Sequence, residues 1–333
     1  MNDINQTGIS EILLLGFHNI QNLKILVFSL FLLIYIGTLT GNLLIVSLVT
    51  IDPRLRTPMY FFLSFLSSFE ILSTTNIVPK MLSVIIREGD MISFTACLIQ
   101  FYIFSASTNS ECFLLTVMSY DRYLAICNPL RYISIMDLRL QLHLVFWPWL
   151  IGVFITLIIT VLVNNLQFCG PNVIDHFFCD LSPILELSCS DTSMVKVQAA
   201  LFSVPVILLP FIFIVVTYAL IFFAIIRITS VVGRKKAFST CSSHLVLVCT
   251  YYGTLTSVYL FPSKDNSTNV SKVISLLYIV VTPLLNPIIY TLRTQEIRAA
   301  LHKYLGTLDT SKVRRKTMQI KVFHVSGHHA LKK

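Results

Sequence analysis

The sequence predicts an all-α membrane protein: a seven-transmembrane helix bundle followed by a short amphipathic cytoplasmic helix. Three observations predict it. Only 12% of the 333 residues are charged and 55% are hydrophobic, whereas soluble domains carry about 25% charged residues, so there is too little polar surface to cover a globule in water. Seven apolar runs reach the roughly 20 residues a helix needs to cross a bilayer. The basic residues gather in alternate connecting segments, as they do in loops retained in the cytoplasm. The mean hydropathy of +0.77 excludes disorder, and 11 Gly and 12 Pro are too few for a collagen-like or low-complexity chain.

In chain order the runs extend approximately from Ile25 to Thr50, Pro58 to Ile85, Ser93 to Ile126, Leu142 to Val163, Val197 to Ile226, Ser243 to Leu260 and Val273 to Leu292. The third contains polar residues and the sixth is interrupted by tyrosines and threonines, which makes these two the least apolar. None alternates in polarity as barrel strands do, so all are read as helices. The start of the chain is polar and mixed, without the basic start and short apolar core of a secretory signal. The first span is therefore expected to act as its own insertion signal. Pro210 and Pro287 each remove a backbone donor inside a span and predict kinks there. Beyond the seventh span, Ile297, Ala300, Leu301, Tyr304 and Leu305 form an apolar stripe opposite Arg298, His302 and Lys303, the pattern of an interfacial helix. The tail that follows contains Val313-Arg314-Arg315-Lys316, which suits contact with anionic membrane lipid or simple solvation. The chain thus divides into an outer tail (1–24), a seven-span domain (25–292) and a cytoplasmic helix with a basic tail (293–333).

Orientation follows from charge. With the amino end outside, the outer segments hold six basic residues (Lys24, Lys80, Arg87, Lys196, Lys264 and Lys272), leaving 19 of the 25 on the inner side. The formal net charge of +9 therefore belongs to the cytoplasmic face and calls for no nucleic acid. Cys97, Cys169, Cys179 and Cys189 then lie in the oxidising compartment, where two disulfides allow three connectivities that spacing does not rank. Asn5-Gln6-Thr7 is a glycosylation sequon on the outer tail. Two carboxylates, Glu70 and Glu111, fall deep inside spans. Each would cost roughly 2.5–3.5 kcal/mol if charged and facing lipid at a helix centre, so both must face inward.

Four motifs carry the most information. Met118-Ser119-Tyr120-Asp121-Arg122-Tyr123-Leu124-Ala125-Ile126-Cys127 ends the third span, and Thr57-Pro58-Met59-Tyr60-Phe61-Phe62-Leu63 opens the second. Lys236-Ala237-Phe238-Ser239-Thr240-Cys241-Ser242-Ser243-His244-Leu245 opens the sixth, and Pro283-Leu284-Leu285-Asn286-Pro287-Ile288-Ile289-Tyr290 closes the seventh. From about Glu11 to Tyr304 the chain closely resembles the vertebrate olfactory (odorant) receptors of the rhodopsin-like G protein-coupled class. Read from the residues alone, Asp121-Arg122 is either an interfacial ion pair or a switch. The resemblance implies the switch: an arginine at Arg122 that turns inward on activation, with Tyr218, His244 and Tyr290 as its partners. It also implies interhelical hydrogen bonding by Asn42 and Asn286, a sodium ion near Glu70 and Glu111, and pairing of Cys97 with Cys179 and of Cys169 with Cys189.

The resemblance further implies a plasma-membrane receptor for small volatile odorants, coupled to a heterotrimeric G protein of the stimulatory olfactory type that raises cyclic AMP. Phe101, Phe104, Ser105 and Thr108 share one face of the third span by their spacing, and Tyr252, Leu255, Thr256 and Tyr259 repeat that spacing in the sixth. With Phe202 and Val206 of the fifth, these match the family's odorant-contacting positions. The outer halves of the third, fifth and sixth spans carry no charged side chain, with Lys80 near the outer end of the second span as the one exception around the expected pocket, so the expected ligand is small, neutral and mostly apolar. No nucleophile–base pair, metal cluster or phosphate loop suggests an enzyme. A transporter or channel, the alternative from another class, predicts internal repeats in two matching halves, and seven spans do not divide that way. A chemoreceptor of the same family acting outside the olfactory epithelium is the second alternative.

Overall fold

A computed structural model describes residues 9–17, 22–169, 171–260, 272–273 and 275–304, with the side chains at 236, 239–240, 256–260 and 292–293 outside that description. The first three spans are α1 (Lys24–Ile51), α2 (Pro58–Arg87) and α3 (Phe94–Cys127). A short α4 (Pro129–Ile135) lies between the third and fourth spans, and the fourth is α5 (Leu138–Asn164). A one-and-a-half-turn α6 (Leu181–Glu186) precedes α7 (Ser193–Ile226), the fifth span, and α8 (Val231–Leu260) is the sixth. The seventh has helical residues 275–276, then a π-helical stretch, Leu277–Val281, and continues as α9 (Thr282–Arg293). A last helix covers 295–304.

Local chemistry sets the helix ends. Pro58 occupies the first turn of α2, where its missing N–H is no loss. The Ser93 hydroxyl accepts from the Ala96 N–H at 3.2 Å to start α3, and Asp137 accepts from the Leu140 N–H at 2.8 Å to start α5. Helix α8 begins 12 residues before the expected Ser243. That first stretch holds Arg234 and Lys235, so it is helical without being apolar, and hydropathy alone locates only the membrane-embedded part.

The bundle is polar inside and apolar outside. Leu30, Leu33 and Ile36 of α1, Phe154 of α5 and Leu209 and Phe222 of α7 are exposed, while Thr38, Asn42, Glu70, Ser107, Ser110, Glu111 and Asn286 are buried. Water would reverse that arrangement; lipid requires it, because unsatisfied polar groups face no solvent in the bilayer core. By length and composition α1, α2, α5 and α7 are apolar enough to cross a membrane. Helix α3 is long enough at 34 residues, but its polar side chains point inward. This explains why the third run reads as less apolar. The first and seventh helices approach closely at Gly41, where a Cβ would sit 2.8 Å from Pro287 Cγ; a small residue there permits the contact.

The sequence did not announce a β-sheet. Strands β1 (Glu11–Leu14), β2 (Asp90–Ser93) and β3 (Val173–Ile174) form a sheet in the order β2-β1-β3, the first pair antiparallel and the second parallel. The turn before β2 uses Glu88 and Gly89, both at positive φ. Gly16 follows β1 at φ +69°, and a Cβ on it would meet Val84 Cγ1 at 2.8 Å.

Candidate functional site

A cavity of about 110 Å³ opens between the helices beneath this sheet. From α3 it receives Phe101, Phe104, Ser105, Thr108 and Asn109, and from α5 Ile155, Thr156 and Ile159. The loop around Cys179 contributes Phe178 and Asp180, and the start of α6 contributes Leu181, as a roof. Ala199 and Ser203 of α7, Leu255 of α8, and Ser275, Tyr278 and Ile279 at the start of the seventh span close the remaining sides. Phe104 meets Phe178 edge-on at 5.4 Å and Tyr278 at 6.0 Å. The Tyr278 hydroxyl donates to Thr108 Oγ1 at 3.0 Å, and Tyr251 donates to the Thr108 carbonyl at 2.9 Å. An apolar cavity of about 150 Å³ holds benzene, so this space suits a molecule of one ring or a short chain.

The four α3 residues expected from their spacing all line the cavity, as does Leu255. Phe202, Val206 and Tyr252 are not among the residues that line it. Phe202 packs with the outer apolar cluster containing Leu98, Phe101 and Ile159, because successive residues are turned about 100° on a helix and Ser203 takes the inward direction. Val206 is buried about one turn deeper on the same helix. Tyr252 is directed at Phe211 of α7, with ring centroids 5.1 Å apart. Thr256 and Tyr259 lie outside the residues whose side chains are described. The sequence reading missed the wall from α5 and the loop roof. The roof had a signal: a bridge from Cys97 to Cys179 brings residue 180 over the head of α3.

Cys97 and Cys179 are disulfide-bonded with Cα atoms 5.4 Å apart, as are Cys169 and Cys189 at 5.8 Å. The Cys179 N–H also donates to Gln100 Oε1 at 2.9 Å. Lys80 is turned away from the cavity: its ammonium pairs with Asp90 at 2.7 Å. Lys272 is fully buried, donating to the Gly16 carbonyl at 2.8 Å and pairing with Asp175 at 2.5 Å. This one ammonium ties the seventh span to the amino-terminal segment and to the long loop. Asp90, beside Lys80 and Ser83, has its carboxyl held down to about 2. His176 is pushed down to about 4 by burial and by the Lys272 charge.

A second polar layer lies deeper. Asn42 donates to the Pro283 carbonyl at 3.1 Å, joining the first and seventh spans. Glu70 interacts with Glu111 and Asn42 and with Tyr290. Asn42 Oδ1, Ser67 Oγ, Glu70 Oε2, Asn286 Oδ1 and Tyr290 Oη are buried without a partner among the described residues. Such a set of oxygens suits a hard cation or ordered water. Among the described residues no group of three or more His, Cys, Asp or Glu is arranged to hold a metal.

At the end of α3 away from the cavity, Arg122 pairs with Asp121 at 2.6 Å, and Asp121 also accepts from the Tyr132 hydroxyl at 2.7 Å. Tyr218 and His244 form their own hydrogen bond of 2.6 Å. The structure thus brings Tyr218 to His244 and Arg122 to Asp121, but forms no hydrogen bond from Arg122 to Tyr218, His244 or Tyr290 among the described residues. Pro287 sits inside α9 between Asn286 and Tyr290. Asn5 lies outside the described residues.

Comparison with known proteins agrees with this architecture. A sequence model of the olfactory receptor family matches residues 31–307. Human olfactory receptor 10A7 is 46% identical over 299 residues, covering 90% of this chain and 95% of the relative. Mouse olfactory receptor 5G25 is 48% identical, covering 89% and 93%, and human olfactory receptor 11A1 is 46% identical, covering 90% and 95%. The chain therefore belongs to the olfactory receptor family, multi-pass seven-helix G protein-coupled receptors of the plasma membrane and not enzymes.

Proposed function

We propose that this receptor binds a small, mostly apolar, neutral odorant in the cavity beneath the sheet and activates a stimulatory olfactory-type G protein, raising cyclic AMP. The observation that carries the reading is the cavity itself, whose aromatic wall is formed by Phe101, Phe104, Phe178 and Tyr278 and interrupted by a few hydroxyls. A ligand of few atoms has a low ceiling on affinity, which suits rapid, reversible detection. The amino end is on the outer side, as the distribution of basic residues argues.

Ligand binding shifts a pre-existing equilibrium between two arrangements of the bundle. In the resting arrangement Asp121 and Tyr132 hold the Arg122 end, and Tyr218 and His244 hold each other. In the signalling arrangement Arg122 leaves Asp121 for Tyr218 and Tyr290, opening the cytoplasmic end to the G protein. Asn286 and Pro287 provide the adjustable stretch between the two. A sodium ion bound by Glu70, with Asn42, Ser67 and Asn286 as further oxygen donors, would neutralise the carboxylate and favour the resting state. Glu111 is the second carboxylate of that layer.

The test is a cyclic AMP assay in cells against volatile compounds, with Arg122→Ala as control. A ligand-dependent rise that Arg122→Ala abolishes at unchanged surface level is expected. Ligand-dependent current or uptake without a G protein would overturn the reading in favour of a channel or transporter.

A further inference from the structure

Among the described residues Asp180 is the one carboxylate that lines the cavity, and no lysine, arginine or histidine among them lines it. It stands directly after Cys179, whose bridge to Cys97 fixes it above α3. One of its oxygens, Oδ1, accepts from the Leu181 N–H at 2.8 Å and so caps α6. The other takes no donor among the described residues. Asp180 is half-buried, and a carboxylate oxygen that no protein donor occupies at a cavity wall is open to a donor carried by the ligand. The walls nearby carry the hydroxyls of Ser105 and Ser203, which make no hydrogen bond among the described residues, and of Thr108, which accepts from Tyr278.

We propose that Asp180 is the polar anchor of the cavity and selects hydrogen-bond-donating ligands, small alcohols above all, over aldehydes, ketones and acids of the same skeleton. This rests on the odorant-receptor reading and names its ligand class. A carbonyl compound offers only an acceptor and leaves the Asp180 oxygen unpaired, and a carboxylate adds like-charge repulsion. An alcohol donates to Asp180 and accepts from a wall hydroxyl at once, whereas an ammonium has nothing to accept with. Burial also raises the proton affinity of Asp180, which makes it a weaker counter-ion for an amine than an exposed aspartate would be. The cavity volume of about 110 Å³ limits the skeleton to about one ring or a short chain.

The test uses the full-length receptor and matched sets of alcohol, aldehyde, carboxylic acid and amine on linear, cyclic and aromatic skeletons of up to about eight carbons. Two readouts are taken: thermal stabilisation of the purified receptor by each compound, and cyclic AMP in cells with surface level measured. Alcohols are expected to be about ten- to a hundredfold more potent than the matched aldehydes, the range a hydrogen bond to a charged group supplies. Asp180→Asn keeps a cap oxygen and should erase most of that ratio at unchanged surface level; Asp180→Ser, also a good cap, should do the same. Equal potency of alcohol and aldehyde, amines as the strongest class, or an unchanged ratio in both variants overturns the proposal. Stabilisation with the alcohol preference but no cyclic AMP response supports the anchor while removing the coupling reading. Failure of every compound to stabilise or activate a surface-expressed receptor overturns both.

Discussion

The outer cap and the deep polar layer both remove polar atoms from water, yet they settle them differently. In the cap, Lys272 is matched to Gly16 and Asp175, Asp90 to Lys80, Ser83 and Arg87, and Gln100 to Asn76 and Cys179, all within the chain. Among the described residues His176 Nδ1 is the one fully buried polar atom of the cap without a partner, and the second oxygen of half-buried Asp180 is left to the cavity. In the deep layer, Asn42, Ser67, Glu70, Asn286 and Tyr290 each keep a buried oxygen without a partner among the described residues. A fully paired polar network specifies one arrangement, and a partly paired one leaves room for others. The contrast teaches that the cavity end is held by pairs made within the chain, while the deeper layer keeps buried oxygens free to take other partners.

The sharpest way to break the comparison is to cut the cap. Loss of the Cys97–Cys179 bridge, which spans 82 residues of sequence, should cost about 2–5 kcal/mol and abolish surface delivery, read by antibody labelling of Cys97→Ser. The bridge across 20 residues should matter less by about 1 kcal/mol on loop entropy alone, so Cys169→Ser should retain more surface receptor. Lys272→Met comes next, at about 2 kcal/mol. That lies below the range for breaking a fully buried pair because Asp175 can return to water. Thermal melting of the purified receptor measures it, and adding Asp175→Asn should recover part of the loss.

Acidification gives a smaller effect. His176 is neutral in the fold, with its pKa lowered from 6.5 to about 4, so the unfolded chain binds the proton first as pH falls. Its contribution to stability is complete above about pH 6.5, declines below that, and is fully lost near pH 4. At pH 6 the loss should be about 1 kcal/mol, and His176→Phe should flatten the melting profile between pH 7 and 5. The least effect on stability is expected in the deep layer. Asn42→Ala removes the bond to Pro283, and interhelical hydrogen bonds in membranes average about 0.6 kcal/mol. There the change should appear in signalling instead, and Glu111→Ala should alter basal cyclic AMP at near-normal melting temperature. Normal basal activity and dose-response in Glu111→Ala would remove Glu111 from the mechanism.

The bundle was legible because lipid imposes a coarse rule, a long apolar run for each helix, and Lys and Arg assign its sides. The α3 face of the cavity was legible for a related reason: a 3.6-residue period ties Phe101, Phe104, Ser105 and Thr108 together whatever lies opposite. On α7 the same rule fixes neither which of two adjacent residues is the more inward nor the depth, so Phe202 and Val206 were preferred where Ala199 and Ser203 line the space. Small residues give no hydrophobic signal, although it is their smallness that leaves the room. The sheet was illegible for another reason. Its strands are two to four residues long, and their pairing depends on distant loops that periodicity does not see.

That sheet has a consequence for how the protein is made. β1 lies between β2 and β3, with Leu14 opposite Ile174, so an early segment is completed by one about 160 residues later. At a synthesis rate of ~5–20 residues per second, roughly ten to thirty seconds pass between the emergence of the two strands. Throughout that interval β1 waits with one edge unsatisfied, until Val173 and Ile174 arrive to pair with Leu13 and Leu14.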